Sequence, residues 1–585
     1  MKINRAVLFS IVALLPGGRS LAASDPMLDS WFTTFSGQYA RIYTNDAAKT
    51  AGTAATTWSN GSQNQLSPAY SGIQEIYSSA SWVYIRSTGL GSHIMGPWQT
   101  GFPNLPANTH TLYRIPRTPT VPGTKTLTGL GSIGYFVDGV SMFDSRDGFV
   151  WTGSSESGSG TGYWNRDAYV NESATFDPAY AHQENSGTYH YHANPIALRY
   201  LLGDHVDFNS ATKTYSESTN AITKHSPILG WARDGFPVYG PYGYSTANDS
   251  SSGVRRMISG FQLRNGQKSS DNLSSTGRTT IPAWAVRVYN VSSGQTGPTV
   301  NTTYPLGRYM EDNAYLGDLG YNQGADFDLD EYNGRTCVTP EFPGGTYAYF
   351  VSISSNGAPV FPYNIGRAFY GNPTGASVTS LTEIVTTNYV GGPNSALQLR
   401  APSVNRANAT VTLTWSSVEG GTYRLETSTG LPTWTTNVTG IASQGVTSQL
   451  TTNAAAHFQF YRVVNTALAT YDSVSSAAGG DSSGGILSIS PNTGARGGSV
   501  IATITLSQSA TPPVPPQNAP INTLTIGAIS GTSTTRPAQY TIQSTFNIPA
   551  NAGTGAQTVT VVFPGPPNNP SQTVTYTLAN GFTIQ

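Results

Sequence analysis

Only 8 histidines occur in 585 residues, yet two of them, His190 and His192, stand one residue apart in SGTYHYHANP, Ser186 to Pro195. Aromatic residues between a glycine and an Asn-Pro pair predict a short strand bounded by turns. On a strand the two imidazoles share one face, with Cα atoms about 6 to 7 Å apart, and Tyr189 and Tyr191 take the other. That is a bite for one metal ion; the alternative is a pair of hydrogen-bonded structural histidines. His182 precedes His190 across a turn expected at Glu184 to Gly187, and a hairpin there would bring a third imidazole to the pair. Three histidines with an open fourth position are the arrangement of catalytic zinc and of several copper and iron centres, among which imidazole does not choose.

Other candidates carry weaker chemistry. His225 opens HSPILGWARDGFPVYGPYG and reads either as a fourth ligand or proton-transfer group, or as a histidine bonded to loop backbone. Asp234, in the Arg-Asp-Gly turn of that stretch, reads either as a carboxylate orienting an imidazole N–H or as a turn residue. His93, in GSHIMGPW, is placed beside the same cleft. Asp326, Asp328 and Asp330 alternate in DFDLDEYNG, but Glu331 stands where a calcium loop needs its glycine, and Cys337 where it needs its bidentate glutamate. Calcium there would need another geometry, against a solvated strand face. The chain has no GxSxG, HExxH or P-loop motif to support serine-hydrolase, zincin or nucleotide chemistry.

The elements that must position these residues are strands. Runs of Thr, Val, Tyr and Ile broken by Gly, Pro and Asn recur throughout, so the fold class is mainly β. The exception is NPIALRYLLGDH, which predicts a short helix after Pro195. An internal repeat sets FDPAYAHQENSGTYHYH (Phe176 to His192) beside LDEYNGRTCVTPEFPGGTYAYF (Leu329 to Phe350), and FPVYGPYG beside APVFPYNIG, giving copies over 176–243 and 329–366. In the second copy the places of His182, His190 and His192 hold Arg335, Ala348 and Phe350. A backbone that accepts Arg, Ala and Phe there does not need three histidines in order to fold.

Charged residues make up 10% of the chain and the net charge is -1, which argues against a nucleic-acid or anionic-lipid surface. Residues 1–23 carry Lys2 and Arg5, an apolar run and small residues, the layout of a signal peptide rather than a membrane span. The expected location is therefore secreted, cell-surface or periplasmic, with no membrane span in the mature chain. Cys337, the single cysteine, has no intrachain disulfide partner.

The strings GTYHYHANP, HSPILGWARDGFPVYGPYG and LDEYNGR with GTYAYF resemble the bacterial YHYH-domain family over about Val83 to Gly371. The resemblance implies an exported domain, suspected of metal binding, with no agreed reaction. Many relatives carry a Cys-containing Asn-Gly-His run before the signature; here it is DPAYAH, in which His182 keeps the family histidine.

The expected organisation is an internally duplicated YHYH domain with short helices, followed by two β-sandwich modules. Residues 24–125 form a β-rich lead-in, 126–371 the YHYH domain and 372–395 a linker. Residues 396–468 resemble a fibronectin-like sandwich, 469–484 form a Ser/Gly linker, and 485–585 resemble a TIG/Ig-like sandwich. Two functions stay open: a transition-metal site at His190, His192 and His182 with His225 nearby, or a metal-free surface protein engaging polysaccharide or another extracellular polymer through its aromatic residues.

Overall fold

The computed structural model describes residues 25–60, 63–98, 104–158, 160–430, 433–454, 459–467, 471–473, 486–506, 514–564 and 573–585. The expected signal peptide and most of the Ser/Gly linker lie outside them. The described chain is mainly β, with a few short helices.

The site is built on an eight-stranded sheet. Its strands are β1 (Ser132–Phe136), β2 (Ser141–Phe143), β3 (Ala181–Gln183), β4 (Tyr189–Tyr191), β5 (Ile228–Ala232), β6 (Pro237–Tyr239), β7 (Gly334–Cys337) and β8 (Thr346–Phe350). Their order across the sheet is β3-β4-β2-β1-β5-β6-β8-β7. Read outward from the central β1–β5 pair, both halves repeat one pattern: an antiparallel hairpin, a parallel neighbour, an antiparallel edge. His182 faces His190 as Arg335 faces Ala348, and Tyr191 lies beside Met142 as Tyr349 lies beside Val238. This register sets Phe236–Tyr239 against Val140–Phe143, not against the 358–366 segment as the sequence match had it. The repeat in the sheet therefore begins with the hairpins, at IGYFVDG and LGWARDG.

Local chemistry explains the symmetry. A Cβ on Gly134 would meet the Trp231 carbonyl oxygen at 2.5 Å, and one on Gly230 the Tyr135 carbonyl oxygen at 2.7 Å, so close pairing of the central strands excludes a side chain in both halves. Each hairpin then turns through Asp-Gly, with Gly139 at φ +82° and Gly235 at φ +87°, backbone that glycine adopts without a Cβ penalty. In each turn the Asp side chain accepts a backbone N–H two residues on, Val140 at 3.3 Å and Phe236 at 3.2 Å.

This sheet shares one buried core with a five-stranded sheet that includes Ile73–Ser78, Trp82–Ser87 and Thr111–Pro116. The edges of that second sheet are Ala376–Ser377 and Thr386–Val390. The stretch 372–395, expected as a linker, thus supplies both edge strands. Beyond it, two three-stranded sheets enclose Trp415 and Tyr423, and the strands from Ile486 to Ile584 enclose a separate apolar core.

Candidate metal centre

Three histidines come together on the face of β3 and β4 away from the tyrosine core. One nitrogen from each of His182, His190 and His192 lies within 4.8 Å of the others, and all three residues are buried. Among the described residues this is the single such cluster. The hairpin register puts His182 directly opposite His190, and the two-residue period of the strand brings His192 to the same side.

The outer nitrogens settle which atoms face inward. His190 Nδ1 lies 2.8 Å from the Thr188 carbonyl oxygen, and His192 Nδ1 lies 2.6 Å from that of Asp144. A carbonyl only accepts, so both Nδ1 atoms carry protons. Thr175 Oγ1 donates to the Glu172 carbonyl at 2.6 Å, so at 2.8 Å it accepts from His182 Nδ1. Each neutral ring therefore turns a bare Nε2 lone pair into the cluster. His190 Nε2 and His192 Nε2 stand 3.1 Å apart, and two lone pairs at that distance repel unless a proton or a metal cation lies between them.

Glu172 completes the set. Its Oε2 is 3.2 Å from His192 Nε2 and 3.5 Å from His182 Nε2. Two ligands of one tetrahedral ion, each at about 2.0 to 2.1 Å, stand about 3.3 Å apart, so these three separations fit a common centre. The backbone places Glu172 at the end of a short helix, Ala168–Glu172, whose first turn is capped by Asp167 accepting from Val170 N at 3.0 Å. The walls are aromatic. Phe143 stacks on His190 with centroids 3.8 Å apart, and Phe176 meets His182 edge-on at 4.8 Å.

Burial drives the His182 pKa down to about 3, aided by His192, and drives His190 well below its ordinary value, aided by both neighbours. Burial also opposes charge on His192, but its hydrogen bond and attraction to Glu172, with the Asp144 carbonyl behind, outweigh that and raise its pKa. His192 is thus the imidazole of the three whose surroundings favour a proton.

The other expected site residues lie elsewhere. His225 packs against Tyr239 and Phe350 with ring centroids 5.0 and 5.9 Å away, and its Nδ1 is 2.7 Å from the Ser226 carbonyl oxygen. Phe350 is the register counterpart of His192, so His225 belongs to the opposite half of the sheet. Burial lowers its pKa to about 4. Asp234 is buried in its turn and accepts from Tyr349 Oη at 2.6 Å, not from an imidazole. His93 sits on the tyrosine face, 3.0 Å from Tyr189 Oη, on the far side of the strand from the triad. The three aspartates do not converge. Asp328 takes a two-point ion pair from Arg255 at 2.6 and 2.8 Å, Asp330 accepts from Tyr347 Oη at 2.9 Å, and Asp326 accepts from Asn322 N at 2.8 Å. These partners occupy the oxygens a calcium ion would need.

Glu172 and Thr175 escaped sequence reasoning. Glu172 lies ten residues before His182 with no motif around it; the capping Asp167 and the helical turn it starts were the available signal. Residues 112–360 match the family model described as YHYH protein, so this part of the chain carries a YHYH domain, and the triad and both halves of the sheet fall inside it. No curated protein matches the chain.

Proposed function

We propose that the YHYH domain binds one divalent transition-metal ion through Nε2 of His182, His190 and His192 and the carboxylate of Glu172. The observation that carries this reading is the direction of the rings: every Nδ1 has a hydrogen-bond partner outside the cluster, so three lone pairs converge beside an anionic oxygen. Histidines kept for packing alone have no need to aim their acceptors at one another. Imidazole and carboxylate donors suit zinc, iron and copper. The backbone carbonyls and Thr175 hold the rings in the ligating tautomer, which raises their basicity and fixes their orientation.

Export belongs to the same reading and is supported by the basic, apolar and small-residue order of residues 1–23. No helix of the described residues is long and apolar enough to cross a membrane. The test is elemental analysis of the purified full chain against His190→Ala/His192→Ala. About one equivalent of metal in the parent and background in the variant is the expected result; equal content in both removes the site. Glu172→Gln, which keeps the shape and removes the charge, is expected to weaken retention without abolishing it.

A further inference from the structure

An open cleft of about 730 Å³ is lined from both sheets, by Ser132, Tyr135 and Phe143 of the eight-stranded one and by Thr111 and Ser377 of the five-stranded one. It shares two residues with the metal centre: Phe143, which stacks on His190, and Thr188, whose carbonyl holds His190 Nδ1. Ser132 faces Phe143 across the β1–β2 hairpin, and its Oγ lies 2.9 Å from that of Ser141, the parallel neighbour of His190. Cleft and triad therefore meet at Phe143 and Thr188. Its size falls within the range of small-ligand pockets.

The lining specifies the ligand's chemistry. Seven of its eleven residues carry a hydroxyl, Ser132, Tyr135, Ser186 and Thr188 among them, and none is Lys, Arg or His. A hydroxyl is donor and acceptor at once, so such a wall matches a ligand whose own groups have the same dual character. Glu184 supplies the one charge. Its carboxylate is held at the cleft by the backbone N–H groups of Ser186 at 2.7 Å and Thr188 at 3.2 Å. A lining that holds a carboxylate and no cationic side chain offers phosphates and uronates no partner. Leu130, 60% exposed at the cleft, and Phe143 give an apolar surface for a C–H face.

We infer that this cleft binds a neutral saccharide and presents its hydroxyls beside the metal centre. The inference stands on the cleft's own lining and rests on the metal reading only in giving that centre a substrate class.

The test is calorimetric titration of the full chain with neutral cello-, malto- and chito-oligosaccharides, and with oligogalacturonate as the acidic comparison. At least one neutral series is expected to bind. Ser132→Trp, which fills the cleft, and Leu130→Asp, which replaces its exposed apolar surface with charge, are each expected to weaken that binding about tenfold or more while leaving metal content unchanged. Should Ser132→Trp misfold, the exposed Leu130→Asp decides. Absence of binding by every neutral series, equal binding of oligogalacturonate, or indifference to the cleft substitutions overturns the inference. Saccharide binding that persists in a His190→Ala/His192→Ala protein supports the cleft as a site of its own. Equal metal in that variant and in the parent would sink the metal reading alone.

Discussion

The two halves of the eight-stranded sheet have the same register and opposite chemistry. At three matched positions one half places His182, His190 and His192, and the other Arg335, Ala348 and Phe350. In the second half Ala348 and Phe350 are fully buried, and the Arg335 guanidinium lies 5.4 Å from the Phe350 ring centroid while donating to the Tyr244 carbonyl at 2.6 Å. The tyrosine faces change much less: Tyr189 donates to Asp177 at 2.8 Å and Tyr347 to Asp330 at 2.9 Å. The comparison separates scaffold from function. The tyrosine–aspartate pairs hold each strand in place, whereas the residues between the tyrosines are free to differ.

The sharpest way to break the comparison is to write the second half into the first. His190→Ala/His192→Phe is expected to reduce bound metal from about one equivalent to background while the sheet persists, because that pair already packs on this backbone elsewhere. Metal analysis with circular dichroism on one sample checks both parts; retained metal would refute the assignment. The converse graft, Ala348→His/Phe350→His, is expected to bind none, since it adds two imidazoles while the Arg335 guanidinium keeps the place of the third.

The shared scaffold makes a second prediction. Gly134→Ala and Gly230→Ala each force a Cβ against a carbonyl of the central pair, and each is expected to cost about 3 kcal/mol in urea unfolding. A large effect in one half only would show that the halves do not bear on the centre equally.

The halves should also differ in their response to pH. Tyr189 is covered by His93, Tyr347 by the stacked ring of Tyr370 at 3.5 Å. Burial lowers the His93 pKa to about 3. Below the ordinary value of about 6.5 the unfolded chain takes up a proton that the folded chain refuses, so this residue's contribution to stability falls as pH falls from about 6.5 toward 3. The stability difference between the parent and His93→Phe is expected to shift against the parent by about 2 kcal/mol between about pH 7 and about pH 5. A pH-independent difference would mean that His93 titrates alike in both states.

The smallest contrast concerns the second tyrosine. Tyr349 Oη donates to Asp234 at 2.6 Å and accepts from Tyr370 N at 2.8 Å, whereas Tyr191 Oη donates to no carboxylate. Tyr349→Phe is expected to cost about 1 to 2 kcal/mol and Tyr191→Phe close to nothing, measured by thermal or urea unfolding.

The pair His190 and His192 was legible because a two-residue spacing on a strand has a single geometric meaning. His182 was legible because Gly187, at φ +83°, makes the turn that closes the hairpin. The correspondence of Arg335, Ala348 and Phe350 with the histidines was legible because both copies keep the G-T-Y frame. The hairpin part of the repeat was mismatched because proline and aromatic identities are shared by unrelated turns, while the informative pair, Gly134 and Gly230, is significant only through a carbonyl on the opposite strand. His225 was misplaced for a related reason: its neighbours Tyr239 and Phe350 come to it through a parallel strand pairing that joins residues more than a hundred positions apart in the chain.

Local rules were enough to set the β class, the imidazole pair on one strand face and the asymmetry of the two copies, since alternation, turn residues and self-similarity act over a few residues or within one repeat. Folding in three dimensions brought a fourth candidate ligand to the triad and set the other candidates elsewhere. Glu172 reaches the triad on a short helix anchored at Ser145, whose carbonyl accepts from Ala168 N at 2.8 Å, and the Asp144 carbonyl reaches His192 from 48 residues away. Asp234 and Asp330 are withdrawn from any metal by tyrosines on strands that lie beside them only in the finished sheet. A carboxylate's role depends on which donors surround it, and those donors are brought to it by sheet order, a non-local property that residue spacing along the chain does not encode.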